Sequence, residues 1–239
     1  MQPQPEPLRA RGSSLPDAPK AGSSSQRRAG RREELVAVAS KLFAARGYHG
    51  TRMDDIADVA GLNKATVYHY FASKALILYE IYFKAAEETL ACLRDDPEWS
   101  AREALYQCTS RMIALIFSNR EQGAVYFQEN PFLSEWLSPE QVAEIRKRED
   151  MVQERVQNMI ERGIASGEFV ECDSHVMALG YIGMVLGSYR WLNPTGRRSA
   201  QEIAVEFATT LLRGLIRDEA IRINDPLGVS SMTALDGAS

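Results

Sequence analysis

Two stretches too short to be stable helices by themselves flank Gly61 in the segment TRMDDIADVAGLNKATVYHYFASK, residues 51–74. Isolated helices below about 12–15 residues are marginal in water, so such a pair persists only if each helix packs on the other or on a third element. Steeply crossing helices need a small residue where they meet, and Ala57 supplies it. The turn needs a residue at ease with positive φ, which Gly61 is. Val67 is spaced to anchor the second helix, and Ile56, Ala60 and Leu62 complete a small core. Thr51 is expected to cap the first helix, with Asp54 at the capping-box position near its positive end. The segment is a candidate helix-turn-helix.

Its outward face carries Lys64, Ala65, Thr66, Tyr68, His69 and Tyr70. A helix entering the major groove needs small residues at its front and hydroxyls or cations that reach base edges and phosphates. Ala65 and Thr66 provide the small front. Tyr68 and Tyr70 offer phenols to phosphate, and Lys74 brings charge to the start of the next helix. An αα-hairpin packed on a surface would use the same spacing, yet would expose Tyr-His-Tyr to no purpose.

Charge is distributed unevenly. The whole chain has a formal net charge of −4, but residues 1–32 hold seven cations (Arg9, Arg11, Lys20, Arg27, Arg28, Arg31, Arg32) and two anions, Glu6 and Asp17. A basic leader on an acidic body fits an arm that meets polyanions, and equally a solvated tail. Residues 1–28 are rich in Pro, Ser, Gly and Gln and lack the apolar surface that would offset chain entropy, so disorder is expected there.

From Arg31 the pattern becomes helical. Leu35, Val38, Ala39, Leu42 and Phe43 share one face, and Gly47 supplies the stop. Further helices are predicted over Lys74–Leu93, Ala101–Ser118 and Gly123–Glu129. Ser138-Pro139-Glu140-Gln141 is a capping box opening a helix to Gly167, and Ser199-Ala200-Gln201-Glu202 opens another to Arg217. Between them a helix runs from Asp173 to the stop at Asn193-Pro194. No convincing β-alternation or internal repeat is present, so the expected class is all-α. Residues 221–239 are expected to form a flexible tail.

The three cysteines, Cys92, Cys108 and Cys172, form no C-x-x-C pair, which argues against a disulfide framework or a zinc site. No apolar signal region follows Met1, and the longest uncharged run, Val176 to Tyr189, is too short to span a membrane and holds three glycines. A cytoplasmic protein is expected. His49, His69 and His175 are the only histidines, and no H-E-x-x-H, P-loop or G-x-S-x-G occurs. No catalytic centre, metal or cofactor is predicted.

Residues Arg31 to Lys74 resemble the N-terminal domain of the TetR family of bacterial transcriptional regulators. The resemblance rests on Phe43-Ala44-Ala45-Arg46-Gly47-Tyr48, Thr51, Asp55-Ile56-Ala57, Ala60-Gly61, Thr66-Val67-Tyr68-His69-Tyr70-Phe71 and Ser73-Lys74. It implies that Lys64, Ala65, Thr66 and His69 fall where the family reads bases. Thr51, Arg52, Tyr68, Tyr70 and Lys74 fall where it grips phosphate, and Phe71 is a core plug. It further implies a DNA-binding domain over residues 29–75 and a larger effector-binding and dimerisation domain over residues 76–220.

Gly180, Gly183 and Gly187 lie on one broad helical side, a spacing that lets a second helix approach closely. Leu211, Leu212, Leu215 and Ile216 add apolar surface on the last helix. By the resemblance, these two helices pair with their symmetry mates in a homodimer. The stretch Ser188-Tyr189-Arg190-Trp191-Leu192-Asn193-Pro194-Thr195-Gly196 is similar to a branch of the family that releases DNA on binding acyl-CoA thioesters. Arg190 and Trp191 would then hold the polar head of the effector, or else staple the dimer. Tyr126, Phe127 and Tyr181 are candidates for an apolar effector pocket. The expected function is a homodimeric repressor that leaves a palindromic operator when a small apolar effector, such as an acyl-CoA, binds. The alternatives are a multidrug-type repressor with a neutral hydrophobic effector, a ligand-independent DNA binder, and a helical interaction protein that has lost DNA binding.

Overall fold

The computed structural model describes residues 21–193 and 195–215. The basic segment before residue 21, Pro194, and everything from residue 216, including the tail expected at 221–239, lie outside the described residues. Ten α-helices and two 3-10 turns make up the described fold, and no strand occurs among these residues. The all-α expectation holds.

Helix α1 spans Ala21–Arg46, so it begins inside the stretch expected to be disordered. Its first turns carry no large apolar residue. They extend a helix whose stability is set further on, where Leu35, Val36, Ala39 and Phe43 are buried, because adding residues to an existing helix is far easier than nucleating one. The helix ends where Gly47 takes a φ of 73° and its N–H bonds the carbonyl of Phe43 at 2.8 Å.

Helix α2 (Met53–Val59) and helix α3 (Lys64–Tyr70) flank Gly61, whose φ is 65°. Ile56, Ala57 and Val67 are buried between them and α1, as their spacing requires. The cap differs from expectation by one residue. Arg52 is the N-cap of α2, and its N–H donates to Asp55 Oδ2 at 2.7 Å. Thr51 is instead fully buried, its hydroxyl donating to the carbonyl of Gly47 at 3.0 Å. Asn63 caps α3, accepting the N–H and the hydroxyl of Thr66, both at 2.7 Å.

The remaining helices are α4 (Lys74–Cys92), α5 (Ala101–Ser118), α6 (Arg120–Glu129), α7 (Leu133–Trp136), α8 (Pro139–Ala165), α9 (Ser174–Gly187) and α10 (Ala200–Leu215). Both predicted capping boxes form. Ser138 N–H donates to Gln141 at 3.1 Å, and Ser199 N–H to Glu202 at 2.7 Å. Helix α9 stops sooner than predicted, at Gly187, and passes into a 3-10 turn over Ser188–Arg190.

Two apolar cores fill the molecule. One joins α1–α3 to Ile77, Leu78, Ile81 and Tyr82 of α4, and is closed by Val125, Leu133, Leu137 and Ile145 from α6, α7, α8 and the residue after α7. The other packs the far end of α4 with α5, α8, α9 and α10. The first core runs on past residue 75 into α4, α6, α7 and α8, and α4 and α8 contribute to both cores.

Candidate nucleic-acid interface and effector cavity

Helix α3 is held from behind. Val67 is fully buried, and Phe71 just after it plugs the core under the guanidinium of Arg32, 4.1 Å from the ring centroid. Arg32 also donates to the Tyr70 carbonyl at 2.9 Å and forms a two-pronged pair with Glu80 of α4. This arginine was grouped with the basic leader by charge alone. It is in fact a clamp fixing the C-terminal end of α3 to α1 and α4.

With its back fixed, α3 presents Lys64, Ala65, Tyr68 and His69 to solvent, and Arg52 is exposed at the start of α2. Thr66 and Tyr70 are half-buried at the edges of this face. Lys64 pairs with Asp54 at 2.8 Å, and the hydrogen bond to Asp54 raises its pKa. Such an exposed pair is weak and is readily exchanged for a phosphate.

Two sequence-predicted phosphate contacts, Thr51 and Lys74, have their polar side-chain atoms bonded within the fold. Thr51 is buried with its hydroxyl spent on Gly47. Lys74 Nζ donates to the carbonyls of Thr51, at 2.8 Å, and Tyr48, and lies 4.0 Å from the Tyr48 ring centroid. Burial lowers its pKa. Both residues brace the loop between α1 and α2.

Tyr48 is the other end of a link that sequence reasoning missed. Its N–H donates to the buried carboxylate of Glu129, on α6, at 2.9 Å, and its ring packs on Trp136 with centroids 5.0 Å apart. The contact joins residues far apart in sequence and has no local pattern that would have revealed it. Helix α6 is also fixed to α4, where the Tyr82 hydroxyl donates to the Tyr126 carbonyl at 2.6 Å.

Helix α6 also lines an open cavity of about 710 Å³, bounded by α4, α5, α6 and the 3-10 turn after it, α8, α9 and the turn after α9. This is within the range of small-molecule sites. Tyr126 and Phe127 line it, and Phe127 stacks on Tyr189 at 4.3 Å with an interplanar angle of 3°. Leu115, Ile116, Leu179, Ile182 and Leu186 add apolar wall. At one end, Tyr126 donates to Glu149, which Arg146 also meets at 2.6 Å. Burial, with the Glu149 charge second, holds the Tyr126 phenol protonated well above the ordinary range.

Three expected effector residues are elsewhere. Tyr181 is buried in the core, its hydroxyl 3.1 Å from that of Thr109, and does not reach the cavity. Arg190 and Trp191 also lie outside the lining, and Trp191 is exposed beside Phe207 of α10, centroids 5.6 Å apart. The early end of α9 turns these two side chains outward.

A braced two-helix reading head joined through a shared helix to a cavity-bearing bundle defines a DNA-binding regulatory protein. The comparisons make this particular: the family described as "Bacterial regulatory proteins, tetR family" matches residues 35–81, and "Tetracyclin repressor-like, C-terminal domain" matches residues 98–215. The chain belongs to the TetR family of transcriptional regulators. It is 27% identical over 205 residues to the transcriptional repressor KstR2 of Mycolicibacterium smegmatis, covering 80% of this chain and 93% of that one. The solved KstR2 of Mycobacterium tuberculosis superposes with a TM-score of 0.72 at 27% identity, over 79% of this chain and 96% of that one. The transcriptional activator FasR of M. smegmatis is also 27% identical, over 186 residues, 74% of this chain and 81% of that one. AibR, solved in complex with isovaleryl coenzyme A and operator DNA, has a TM-score of 0.66 at 25% identity, over 76% of this chain and 98% of that one. The family and these relatives are regulators of transcription rather than enzymes. No helix among the described residues is long and apolar enough to cross a membrane.

Proposed function

We propose that this regulator is a cytoplasmic homodimeric repressor that occupies a palindromic operator through α3 of each protomer and leaves it when a small apolar effector fills the cavity. The observation that carries this reading is the double role of α6. Tyr126 and Phe127 on one side touch the cavity, and Glu129, less than a turn beyond Phe127, holds Tyr48 of the DNA-binding half. An effector that moves α6 moves the reading head with it. Passing from nearly all bound to nearly all free requires a differential affinity of about 5.5 kcal/mol, which two cavities per dimer would share.

The dimer reading is supported by α9. Val176 and Leu179 are 58% and 49% exposed, and a Cβ added at Gly180, Gly183 or Gly187 would meet nothing within 4 Å. Nothing within the described chain accounts for glycine at these three helical positions, each of which costs about 1 kcal/mol relative to alanine. A second copy packed against this face would. Trp191, after α9, and Val205, on the last helix, are also exposed apolar residues, which favours the seam role for Trp191 over that of an effector contact.

The effector reading includes acyl-CoA thioesters, supported by the likeness to AibR with its bound isovaleryl coenzyme A. The acyl chain would enter the cavity, and the coenzyme would stay at its mouth. A multidrug-type repressor answering to neutral hydrophobic compounds is the alternative that the apolar wall also favours. Operator mobility across a panel of acyl-CoAs and uncharged hydrophobes tests both. Release by neither class, with the operator bound throughout, would point to a ligand-independent binder.

A further inference from the structure

The polar groups around the cavity are almost all committed to one another. Glu149 is held by Arg146 and Tyr126, and Arg146 also donates to Asn130 at 3.1 Å. Glu88 accepts from Asn119 at 2.9 Å and has Lys84 at 3.8 Å. An entering anion would find the one lining guanidinium already paired, in a wall that also holds the carboxylates of Glu88, Glu149 and Asp150. An entering cation would find Glu88 and Glu149 already claimed, leaving only Asp150, which is exposed to solvent. A charge carried into the apolar interior past Asp150 would lose its hydration without a free partner.

One buried lining atom is without a partner. The side-chain oxygen of Gln122 is closed off from solvent and meets no donor among the described residues. It is one helical turn before Tyr126 on the cavity side of α6. An unsatisfied buried amide is costly, and its cost is recovered when a partner arrives. A half-turn of the amide exchanges carbonyl for N–H₂, so Gln122 can meet either a carbonyl or a hydroxyl.

We propose that Gln122 is the specificity-determining residue of the cavity and that it selects an apolar ligand bearing one neutral oxygen function, a carbonyl or hydroxyl, over the same skeleton bearing a carboxylate or an ammonium. This rests on the cavity being the effector site. A thioester meets the requirement, and the free acid from which it is made does not. The regulator therefore distinguishes an activated or reduced compound from its parent acid.

The test is calorimetric titration of the full chain with 1-decanol, S-methyl thiodecanoate, decanoate and decylammonium, repeated with the matching groups on a decalin skeleton. The two neutral heads are expected to bind about tenfold or more tighter than either charged head. Gln122→Leu should remove that advantage while leaving the weak binding of the charged probes as it was. Gln122→Met, of closer length, repeats the measurement should the leucine variant melt early. Equal affinity for decanoate or decylammonium in the wild type, or unchanged binding of the neutral heads in both variants, overturns the assignment to Gln122 but leaves the cavity as the site. Failure of every probe on both skeletons to bind removes the cavity reading as well.

Discussion

At the scale of single residues, position relative to the packed back of α3 decides what each side chain does. Tyr68 is 43% exposed, so little of its ring is committed to the fold. Tyr68→Phe is expected to weaken operator binding by on the order of 1–2 kcal/mol, the loss of one phosphate hydrogen bond, with melting unchanged. Filter binding beside a thermal melt checks it, and undiminished affinity would remove Tyr68 from the interface. Arg32→Ala is the contrasting case. It leaves Glu80 and the Tyr70 carbonyl without their partner and uncovers the Phe71 ring. Stability should fall by about 1–3 kcal/mol, and operator affinity should fall with it because the end of α3 loosens. Loss of affinity without loss of stability would make Arg32 a DNA contact instead. The sequence separated these roles poorly. Arg28 and Arg32 read alike as charges, and Thr51 and Arg52 differ by one position in a loop whose turn geometry decides which of them caps α2.

At the scale of elements, local signals were legible and assembled ones were not. The capping boxes at Ser138 and Ser199, the positive-φ turn at Gly61 and the apolar stripe of α1 each depend on residues within a few positions of one another. All are found where the sequence put them. The cavity draws on five helices and the turns after α6 and α9, so its membership depends on packing angles that spacing does not encode. Tyr126 and Phe127 line it, while Tyr181, an equally aromatic candidate, faces the core. The link from Glu129 to Tyr48 is of the same kind and makes α6 the element that transmits. Glu129→Ala would leave the Tyr48 N–H unpaired, costing about 1–3 kcal/mol of stability. Its more telling effect is expected in function: effector affinity retained, operator bound, and release by effector weakened or lost. Titration calorimetry against operator mobility separates these outcomes. Normal release by the variant would move the transmission to another contact between the halves.

At the scale of the whole molecule, the phenols and the glycines give readouts that no single site controls. Burial pushes up the pKa of Tyr82, Tyr126 and Tyr181, in each case as the largest cause. Unfolded, they ionise near 10.0; folded, they retain their protons above that. The native state then binds more protons than the unfolded one, so this contribution is complete below pH 10 and declines as pH rises further. Denaturant melts across that range should show it, with phenolate absorbance of these tyrosines appearing only on unfolding. The glycines of α9 test the assembly. In one chain, a side chain at Gly183 meets nothing within 4 Å, so Gly183→Ala should cost the monomer nothing and favour helix by about 1 kcal/mol. In a dimer whose helices approach across this face, the same methyl group sits in the seam, and Gly183→Leu would force the backbones apart. The leucine variant is therefore expected to sediment as a folded monomer and to lose operator affinity. A lone reading head keeps only one half-site, whereas paired heads must span one DNA turn, roughly 34 Å. If Gly183→Leu remains dimeric and binds the operator as before, the seam lies on another face, and the exposed stripe of α9 from Val176 to Gly187 must serve some other partner.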